Sequence, residues 1–342
     1  MLRCLELAKL GEGHTSPNPM VGCVIVYEDK IIGEGFHQRY GDPHAEVNAI
    51  RSVKDSSLLQ HSTLYVSLEP CSHYGKTPPC SDLIIGKKIP HVVIATTDPN
   101  PEVSGRGIQK LQLAGCCTEV GILEHESREL NRRFFTFFNK KRPYIILKWA
   151  QTTDGFIDSA RYAGEEAKPT WITSETTRVT VHKQRSTENA ILIGTETAIK
   201  DNPSLTLRDW FGNQPSRIVV DIKNRLPEES KLFNGEAQTY TVSAEAYADN
   251  RKTILIQVSS RDYIPTLLNF LFESNIQSLI VEGGTKTLNY FLETGFWDEA
   301  HVYTGNKQFG DGVNAPDFNS SILFSEKFHE SKLDVYRNLS AR

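Results

Sequence analysis

Three side chains of the kinds that bind zinc in enzymes occur in two short stretches of the first half of the chain. His44 begins "HAEVNAI", and Cys71 and Cys80 lie in "EPCSHYGKTPPC", separated by eight residues. One histidine and two cysteines leave the fourth position of a tetrahedral zinc ion for water, as in catalytic sites. Zinc lowers the pKa of that water towards neutrality and so yields a hydroxide that can attack an amidine-like carbon. These residues predict a hydrolytic zinc site.

A hydrolytic site of this kind also needs a carboxylate that moves protons, and Glu46 is the candidate for that catalytic role. It follows His44 by two residues, at the start of a predicted helix. Zinc deaminases carry H-x-E followed by P-C-x-x-C. Here Pro70-Cys71 supplies the P-C pair, but eight residues rather than two precede the second cysteine. The Pro- and Gly-containing spacer is expected to form a shaped loop that holds Cys80 at the next helix and adds substrate contacts.

Each of these residues also has an ordinary structural interpretation. His44 alone would fit a surface position, Glu46 could favour the start of a helix, and two cysteines are often small core residues. A disulfide is disfavoured because the N-terminus lacks an export signal, and a reducing compartment is expected. The other four cysteines follow apolar patterns and are predicted to be core residues: Cys4, Cys23, Cys116 and Cys117.

Composition excludes several classes of function. The 342 residues are 39% hydrophobic and 23% charged, which is typical of a globular protein with real cores. A formal net charge of −4 argues against nucleic acid as a partner, and no apolar run is long enough to suggest a membrane span. The first residues predict a helix whose apolar face comprises Leu2, Leu5, Leu7, Ala8 and Leu10. We therefore expect a cytoplasmic protein.

Alternating strand and helix patterns predict two α/β domains. The first half predicts a three-layer domain with a mixed sheet, in which "VGCVIVYEDKIIGEGFH" forms a hairpin and "HESRELNRRFFTFFNKKR" a helical run. A basic stretch that ends at Pro143 then gives way to the apolar strand "YIILKWAQT". The predicted boundary divides residues 1–142 from residues 143–342, and the second half predicts a mainly parallel sheet.

The second half offers a weaker signal for a phosphate-bearing ligand. It lacks the G-x-G-x-x-G dinucleotide fingerprint, but in "VEGGTKTLNYF" a strand ends at Glu282 and Gly283-Gly284 open a helix. Backbone N–H groups at a helix N-terminus can bind a pyrophosphate. The same pattern is also found in tight turns that bind nothing.

Several motifs together resemble the bifunctional deaminase/reductase family of bacterial riboflavin biosynthesis, the RibD type. The first half contributes "TSPNPMVGCVIV", "HAEVNAI", "EPCSHYGKTPPC" and "DPNPEVSGRG", and the second "KWAQTTDGFI", "ILIGTETAIKDNPSLTLR" and "VEGGTKTLNYF". The likeness runs from near residue 1 to about residue 305. It implies a cytidine-deaminase-like three-layer α/β/α domain followed by a dihydrofolate-reductase-like α/β domain.

The resemblance implies two consecutive reactions on a small-molecule phosphoribosylaminopyrimidine. The first domain, with one Zn2+, would hydrolyse the 2-amino group of the diaminopyrimidinone, and the second would use NADPH to reduce the ribosyl side chain to ribityl. In the first domain, His44, Cys71 and Cys80 would bind zinc and Glu46 would carry protons. The positions that match deaminase substrate contacts are Asn18, His37, His73, Lys76 and Thr77; for His37, His73 and Lys76 the alternative is a solvated loop position.

In the second domain the resemblance implies two sets of contacts. The cofactor-binding set comprises Gln151, Trp171, Thr197, Asp201, Gly284, Thr285, Lys286, Thr287, Leu288, Asn289 and Tyr290. The reductase substrate set comprises Lys148, Asp154, Arg185, Leu205, Arg208 and Glu282, with the two arginines on the substrate phosphate. A surface salt bridge is the alternative for each arginine. The resemblance also implies a homo-oligomer, a dimer or a tetramer, assembled through the reductase domains.

The sequence departs from the family in "IDSARYAGEEAKPTWIT", which is longer than expected, and at Pro169, where the family often has a substrate-contacting serine. Proline cannot donate a hydrogen bond, so that contact is lost or is supplied by Thr170. Two other functions fit parts of the pattern. One is a zinc deaminase of another base or of tRNA with a degenerate second domain. The other is a nonenzymatic zinc module in which His73 would be the fourth ligand.

Overall fold

A computed structural model describes residues 1–74, 78–160, 171–248, 251–259, 262–328 and 330–342. The chain forms two compact units, Met1–Asn139 and Lys140–Arg342. In the described ranges no helix combines the length and the apolar composition needed to cross a bilayer. All six cysteines are free thiols.

The first unit contains a five-stranded mixed sheet with helices on both faces. Its elements are α1 (Leu2–Lys9), β1 (Gly22–Tyr27), β2 (Lys30–Phe36), α2 (Ala45–Ser52), β3 (Thr63–Val66), α3 (Cys80–Gly86), β4 (His91–Ile94), α4 (Arg106–Leu113), β5 (Cys117–Val120), α5 (Glu124–Leu130) and α6 (Arg132–Lys140). The strand order is β2-β1-β3-β4-β5, with β1 antiparallel to β2 and β3 and the last three strands parallel. The predicted mixed sheet and hairpin are confirmed.

Alternation along β1 explains the layers of this unit. Cys23 and Ile25 face a core with α2, α3 and α4, whereas Val24 faces the opposite side and packs with Cys4 and Leu7 of α1. Successive side chains of a strand point to opposite faces, so one short strand can serve two cores. The three-layer prediction is confirmed.

Three local predictions for this unit are wrong. The buried face of α1 comprises Cys4, Leu7 and Ala8, while Leu2 and Leu10 are 67% and 62% exposed, because at 3.6 residues per turn they lie on the other side of the helix. Cys117 is exposed rather than core, since it lies on the edge strand β5. The single helical run before Pro143 is two helices. They separate at Asn131, whose side chain makes hydrogen bonds of 2.8 and 2.9 Å with the backbone of Met20.

The second unit contains a nine-stranded sheet. Its elements are β6 (Tyr144–Gln151), β7 (Phe156–Ser159), α7 (Glu175–Thr187), β8 (Ala190–Gly194), α8 (Thr195–Asp201), β9 (Ser216–Val220), β10 (Thr239–Ser243), β11 (Ile254–Gln257), α9 (Ile264–Glu273), β12 (Ser278–Glu282), α10 (Thr285–Thr294), β13 (Glu299–Gly305), β14 (Gly312–Asn314), β15 (Ile322–Phe328) and β16 (Ser331–Arg337). The order is β11-β10-β9-β8-β12-β6-β13-β16-β15, and only the pairs made by β16 are antiparallel among the described strands of this sheet. The mainly parallel sheet is confirmed.

Hydrophobic clusters cover both faces of this sheet. On β8, Leu192 belongs to the large core with α9 and α10, and Ile191 and Ile193 belong to the opposite core with Ala198 of α8. Strands buried on both faces read as continuous apolar runs, as "AILIG" does here. The central strands β8, β12 and β6 are parallel neighbours, so their carboxyl ends meet at one edge of the sheet.

Candidate active sites

The three predicted zinc ligands meet in the first unit. His44 is the N-cap residue of α2, Cys80 is the first residue of α3, and Cys71 lies in the turn after β3. The Nδ1 atom of His44 lies 3.6 Å from the sulfur of Cys71 and 3.4 Å from that of Cys80, and the three ligand atoms lie within 4.8 Å of one another. Tetrahedral zinc with ordinary bond lengths places sulfur and nitrogen about 3.5 Å apart. The donor set and its spacing fit zinc.

The surroundings of the two thiols favour a thiolate at Cys71. The backbone N–H of Cys80 donates to the Cys71 sulfur at 3.3 Å. The hydrogen bond with the Cys80 side chain lowers the pKa of Cys71, and that contact, together with burial, raises the pKa of Cys80. The thiolate is the form that binds metal.

Glu46 lies in the first turn of α2, next to the ligand set. Its side chain is 3% exposed, and burial, followed by the Cys71 charge, raises the pKa of Glu46 to about 7. His44 acts in the opposite direction. A carboxyl group with a pKa near neutrality can both accept and donate a proton, as general acid–base catalysis requires.

Two of the predicted substrate contacts lie beside His44. The Asn18 amide and His37 Nε2 are 3.1 Å apart, and His37 Nδ1 lies 3.2 Å from the Pro43 carbonyl. Because that carbonyl can only accept, Nδ1 carries the proton and Nε2 accepts from Asn18. The His37 and His44 rings meet edge to face at 5.4 Å. His73 is exposed and is not part of the ligand group, and Lys76 and Thr77 lie outside the described residues.

Sequence reasoning missed Glu69, which supports the ligand turn. Its buried carboxylate accepts four backbone N–H groups, from Asp98, Gly105, Gly107 and Ile108, at 2.9 to 3.3 Å. These bonds tie the loop after β4 and the first turn of α4 to the residue that precedes Pro70-Cys71. The sequence shows a carboxylate next to the ligand motif, but it does not show that this carboxylate is buried or which groups it accepts.

In the second unit a cavity of about 330 Å³ opens at the carboxyl ends of the central strands. Ligands of open α/β sheets bind at this edge. The cavity is lined by nine of the predicted residues: Lys148, Trp171, Arg185, Thr197, Asp201, Leu205, Arg208, Glu282 and Gly284.

A buried carboxylate and two cations form a charge cluster in the wall of this cavity. Lys148 Nζ lies 3.6 Å and Arg185 Nη2 3.4 Å from Glu282. Burial opposes the ionisation of Glu282, but the charges of Lys148 and then Arg185 outweigh it and lower the pKa of this carboxyl. Arg185 is 7% exposed, and its Nε has no hydrogen-bond partner among the described residues. The site therefore retains an unused buried donor.

The glycine pair ends β12 and begins α10. Gly283 has φ +148°, which glycine tolerates without strain, and Gly284 is the N-cap of α10. The Gly284 N–H donates to Thr197 Oγ1 at 3.1 Å. This contact places the start of α10 beside α8 and at the edge of the cavity.

The remaining predicted residues do not line the cavity. Asp154 accepts the backbone N–H groups of Phe309 and Gly310, and Gln151 accepts from the Trp149 indole at 2.9 Å. Leu288 is fully buried in the core, and the Tyr290 hydroxyl donates to Asp262. Outside the lining are Gln151, Asp154, Thr285, Lys286, Thr287, Leu288, Asn289 and Tyr290. Pro169 and Thr170 lie outside the described residues.

Sequence reasoning also missed part of the cavity wall. Glu196 and Lys200 of α8 line it, as does Gly283. The two α8 residues are four apart and therefore share a helix face with Thr197 and Asp201 near it. The spacing can be seen in the sequence, but it does not indicate which face of α8 lines the cavity.

Comparison with known proteins gives two matched regions. Residues 1–96 match the family described as the cytidine and deoxycytidylate deaminase zinc-binding region, and residues 143–334 match the RibD C-terminal domain. The chain is 42% identical to riboflavin biosynthesis protein RibD of Aquifex aeolicus, over 98% of this chain and 94% of that protein. It is 36% identical to RibD of Escherichia coli, over 91% and 88%.

Solved structures of similar proteins superpose on nearly the whole of this chain. A Thermotoga maritima protein described as a diaminohydroxyphosphoribosylaminopyrimidine deaminase/5-amino-6-(5-phosphoribosylamino)uracil reductase superposes with a TM-score of 0.88 at 36% identity, covering 99% of this chain and 97% of that one. Acinetobacter baumannii RibD gives 0.88 at 32% identity, covering 98% and 97%. The chain therefore belongs to the RibD family of riboflavin biosynthesis, with a zinc-binding deaminase domain followed by a reductase domain.

Proposed function

We propose that the first unit deaminates 2,5-diamino-6-(5-phosphoribosylamino)pyrimidin-4-one and that the second unit then reduces the ribosyl side chain of the product to ribityl with NADPH. The observation that carries the proposal is the His44, Cys71 and Cys80 donor set beside buried Glu46, in one chain with the charged cavity of the second unit. The Thermotoga maritima relative is described by these two activities. The free cysteines agree with a reducing cytoplasm.

In the deaminase, His44, Cys71 and Cys80 would hold Zn2+, which supplies an activated water. Glu46 would accept one proton from water and pass it to the pyrimidine ring nitrogen while the water oxygen bonds to C2. Glu46 would then carry the remaining hydroxyl proton to the 2-amino group, so that the C2–N bond breaks, ammonia leaves and a carbonyl remains at C2. Asn18 and His37 would form hydrogen bonds with the polar edge of the base, while His73, Lys76 and Thr77 would contact the phosphoribosyl group.

In the reductase, bound NADPH would supply the hydride for reduction of the open-chain ribosyl group. The first turn of α10, from Gly284 to Thr287, would provide backbone donors for the cofactor phosphates, whereas Leu288 is buried in the core. Trp171, Thr197 and Asp201, which line the cavity, would complete the cofactor contacts, and Gln151 lies outside the lining. On the substrate side Arg185 and Arg208 bind the phosphate, and Lys148, Leu205 and Glu282 orient the sugar chain. Asp154, which lies outside the cavity lining, holds the backbone of Phe309 and Gly310. Arg185 suits this role because it is buried and retains a donor.

A chelator experiment tests the assignment of the two reactions. We expect purified protein with the diaminopyrimidine substrate to release ammonia first and to oxidise NADPH only afterwards. A zinc chelator should abolish both, whereas NADPH oxidation with the already deaminated substrate should persist, because the zinc ligands lie in the first unit. Ammonia release that survives complete zinc removal, verified by metal analysis, would contradict the zinc assignment. No NADPH oxidation with either substrate would contradict the reductase assignment.

The proposal includes a homo-oligomer assembled through the reductase domains. Strand β15 supports it, since it is an outer strand of the nine-stranded sheet and Ile322, Leu323 and Phe324 are each 47% to 49% exposed. An apolar outer strand of this kind favours pairing with another chain. Phe324→Lys should shift the mass measured by light scattering towards the monomer, with Ser320→Lys as a control. An unchanged oligomer in Phe324→Lys would exclude β15 as the interface.

A further inference from the structure

Helix α7 presents a row of three polar side chains to the loop that carries Arg208. Arg178, His182 and Arg185 are spaced by four and three residues, so they share one face of the helix. Arg185 donates to the Thr206 carbonyl at 3.3 Å, and Arg178 forms an ion pair of 2.8 Å with Asp209. The middle residue, His182, is buried and does not line the cavity.

His182 contacts both Arg208 and the residue after it. Its Nδ1 accepts the backbone N–H of Arg208 at 3.3 Å, and its Nε2 faces the Asp209 carboxylate at 3.5 Å. An Nδ1 that accepts requires the ring proton on Nε2, where it points towards Asp209. Burial, and then the charge of Arg185, lower the pKa of His182 to about 4; Arg208 acts in the same direction, and Asp209 and Glu282 oppose it. The ring is therefore neutral at neutral pH and its Nδ1 is available.

The loop around Arg208 depends on side chains to hold its backbone. Leu205 adopts a left-handed conformation, φ +55°, which costs a residue with a branched side chain some strain. The next three residues are each held by a side chain: the Thr206 carbonyl by Arg185, the Leu207 N–H by Gln214 at 2.8 Å, and the Arg208 N–H by His182. His182 thus fixes the main chain at the very residue whose side chain lines the cavity.

We propose that His182 is a positioning residue of the reductase: it accepts the Arg208 N–H and thereby holds the Arg208 guanidinium where the substrate phosphate binds. The proposal rests on the proposed function, since it takes Arg208 to be a phosphate contact. A bidentate arginine contact with phosphate requires a defined orientation of the guanidinium, so looseness in the main chain reduces affinity for the phosphate-bearing substrate. The step of hydride transfer does not involve His182.

Two substitutions separate the contacts of His182. His182→Asn can keep an acceptor at the position of Nδ1, next to the Arg208 N–H. His182→Gln reaches the position of Nε2 and keeps only the contact with Asp209. One net hydrogen bond amounts to roughly a three- to tenfold change in binding. We expect His182→Ala and His182→Gln to raise the KM of the reductase substrate about three- to tenfold with kcat within twofold, and His182→Asn to stay near the wild-type KM.

A double-mutant cycle tests whether His182 acts through Arg208. Arg208→Ala alone should raise the substrate KM, and adding His182→Ala to it should raise KM no further, since the group to be positioned is gone. Thr176→Ala, an exposed residue of the same helix, is the matched control. Ammonia release and the Kd for NADPH should be unchanged in every variant, which separates a local effect from misfolding.

The outcomes are distinguishable. Equal KM increases in His182→Asn and His182→Gln, or additive effects of His182→Ala and Arg208→Ala, would overturn the positioning role and leave a packing role. A wild-type KM in all His182 variants would overturn it as well. If wild-type protein reduces nothing, or if Arg208→Ala leaves KM unchanged, the proposed function itself fails at that step. If His182→Ala does not fold, the comparison of the Asn and Gln variants decides alone.

Discussion

Glu46→Gln is expected to lower the rate of ammonia release by about 10²- to 10⁴-fold while zinc stays bound. Glutamine fills nearly the same buried volume, so the first turn of α2 and the neighbouring ligand His44 should keep their geometry. What is lost is the exchangeable proton of a carboxyl whose pKa burial has raised to about 7. Ammonia release under saturating substrate and zinc content by metal analysis measure the two effects.

The control for this substitution is Glu119→Gln. Glu119 is an exposed residue of the edge strand β5 in the same unit, so its variant should release ammonia at the wild-type rate. NADPH oxidation with deaminated substrate should be equal in both variants. Ammonia release within tenfold of wild type in Glu46→Gln would remove Glu46 from the proton transfers. Loss of zinc in that variant would mean that Glu46 acts on the metal site rather than on protons.

The residues of the candidate zinc site could be identified from sequence because they lie in two short motifs. His44 and Glu46 are two residues apart, Cys71 and Cys80 share one loop, and each group carries its own signature. The structure needed only to bring two short motifs together, at the starts of α2 and α3. Glu69 was invisible to the same reasoning because its partners come from a loop some 30 to 40 residues later and are backbone N–H groups, which any residue type provides.

The residues of the second site were harder to predict from sequence because the cavity wall is formed by segments that are far apart in the chain. Lys148, Arg185 and Glu282 form one charge cluster but are separated by 37 and 97 residues in the chain. No periodicity links them: Lys148 and Glu282 are register partners on the neighbouring strands β6 and β12, and helix α7 brings Arg185 to them. The family resemblance supplied those residues, whereas it did not supply His182, whose proposed role rests on its contacts with Arg208 and Asp209.

Errors in the fold predictions have the same origin. The prediction for α1 placed all of its apolar residues in the core, but only residues on the helix face that is turned to the sheet are buried. Leu2 and Leu10 lie on the solvent side. The break between α5 and α6 depends on Asn131 and Met20, which lie 111 residues apart. Cys117 is exposed because β5 is the last strand of its sheet, a fact of strand order that no local pattern contains.

Arg185→Ala is expected to cause the largest loss in the reductase. Removing one partner of a buried charge pair costs about 2 to 5 kcal/mol, so kcat/KM for the deaminated substrate should fall at least about 30-fold. Three effects add: the substrate phosphate loses a contact, Glu282 keeps only Lys148 as a partner at 3.6 Å, and the Thr206 carbonyl loses its donor. Steady-state NADPH oxidation measures the loss.

Arg185→Lys and Lys183→Ala show which of these effects dominates. Lysine keeps the charge beside Glu282 but lacks the planar fork, so Arg185→Lys should recover part of the loss if charge matters most and little of it if the two-point geometry does. Lys183 is an exposed cation on the same helix, and its alanine variant should leave NADPH oxidation unchanged. Because Arg185 and Lys183 lie in the second compact unit and the candidate deaminase residues lie in the first, ammonia release should persist in all three variants. Wild-type kcat/KM in Arg185→Ala would show that the buried arginine serves only to neutralise Glu282, and the phosphate contact would then fall to Arg208 alone.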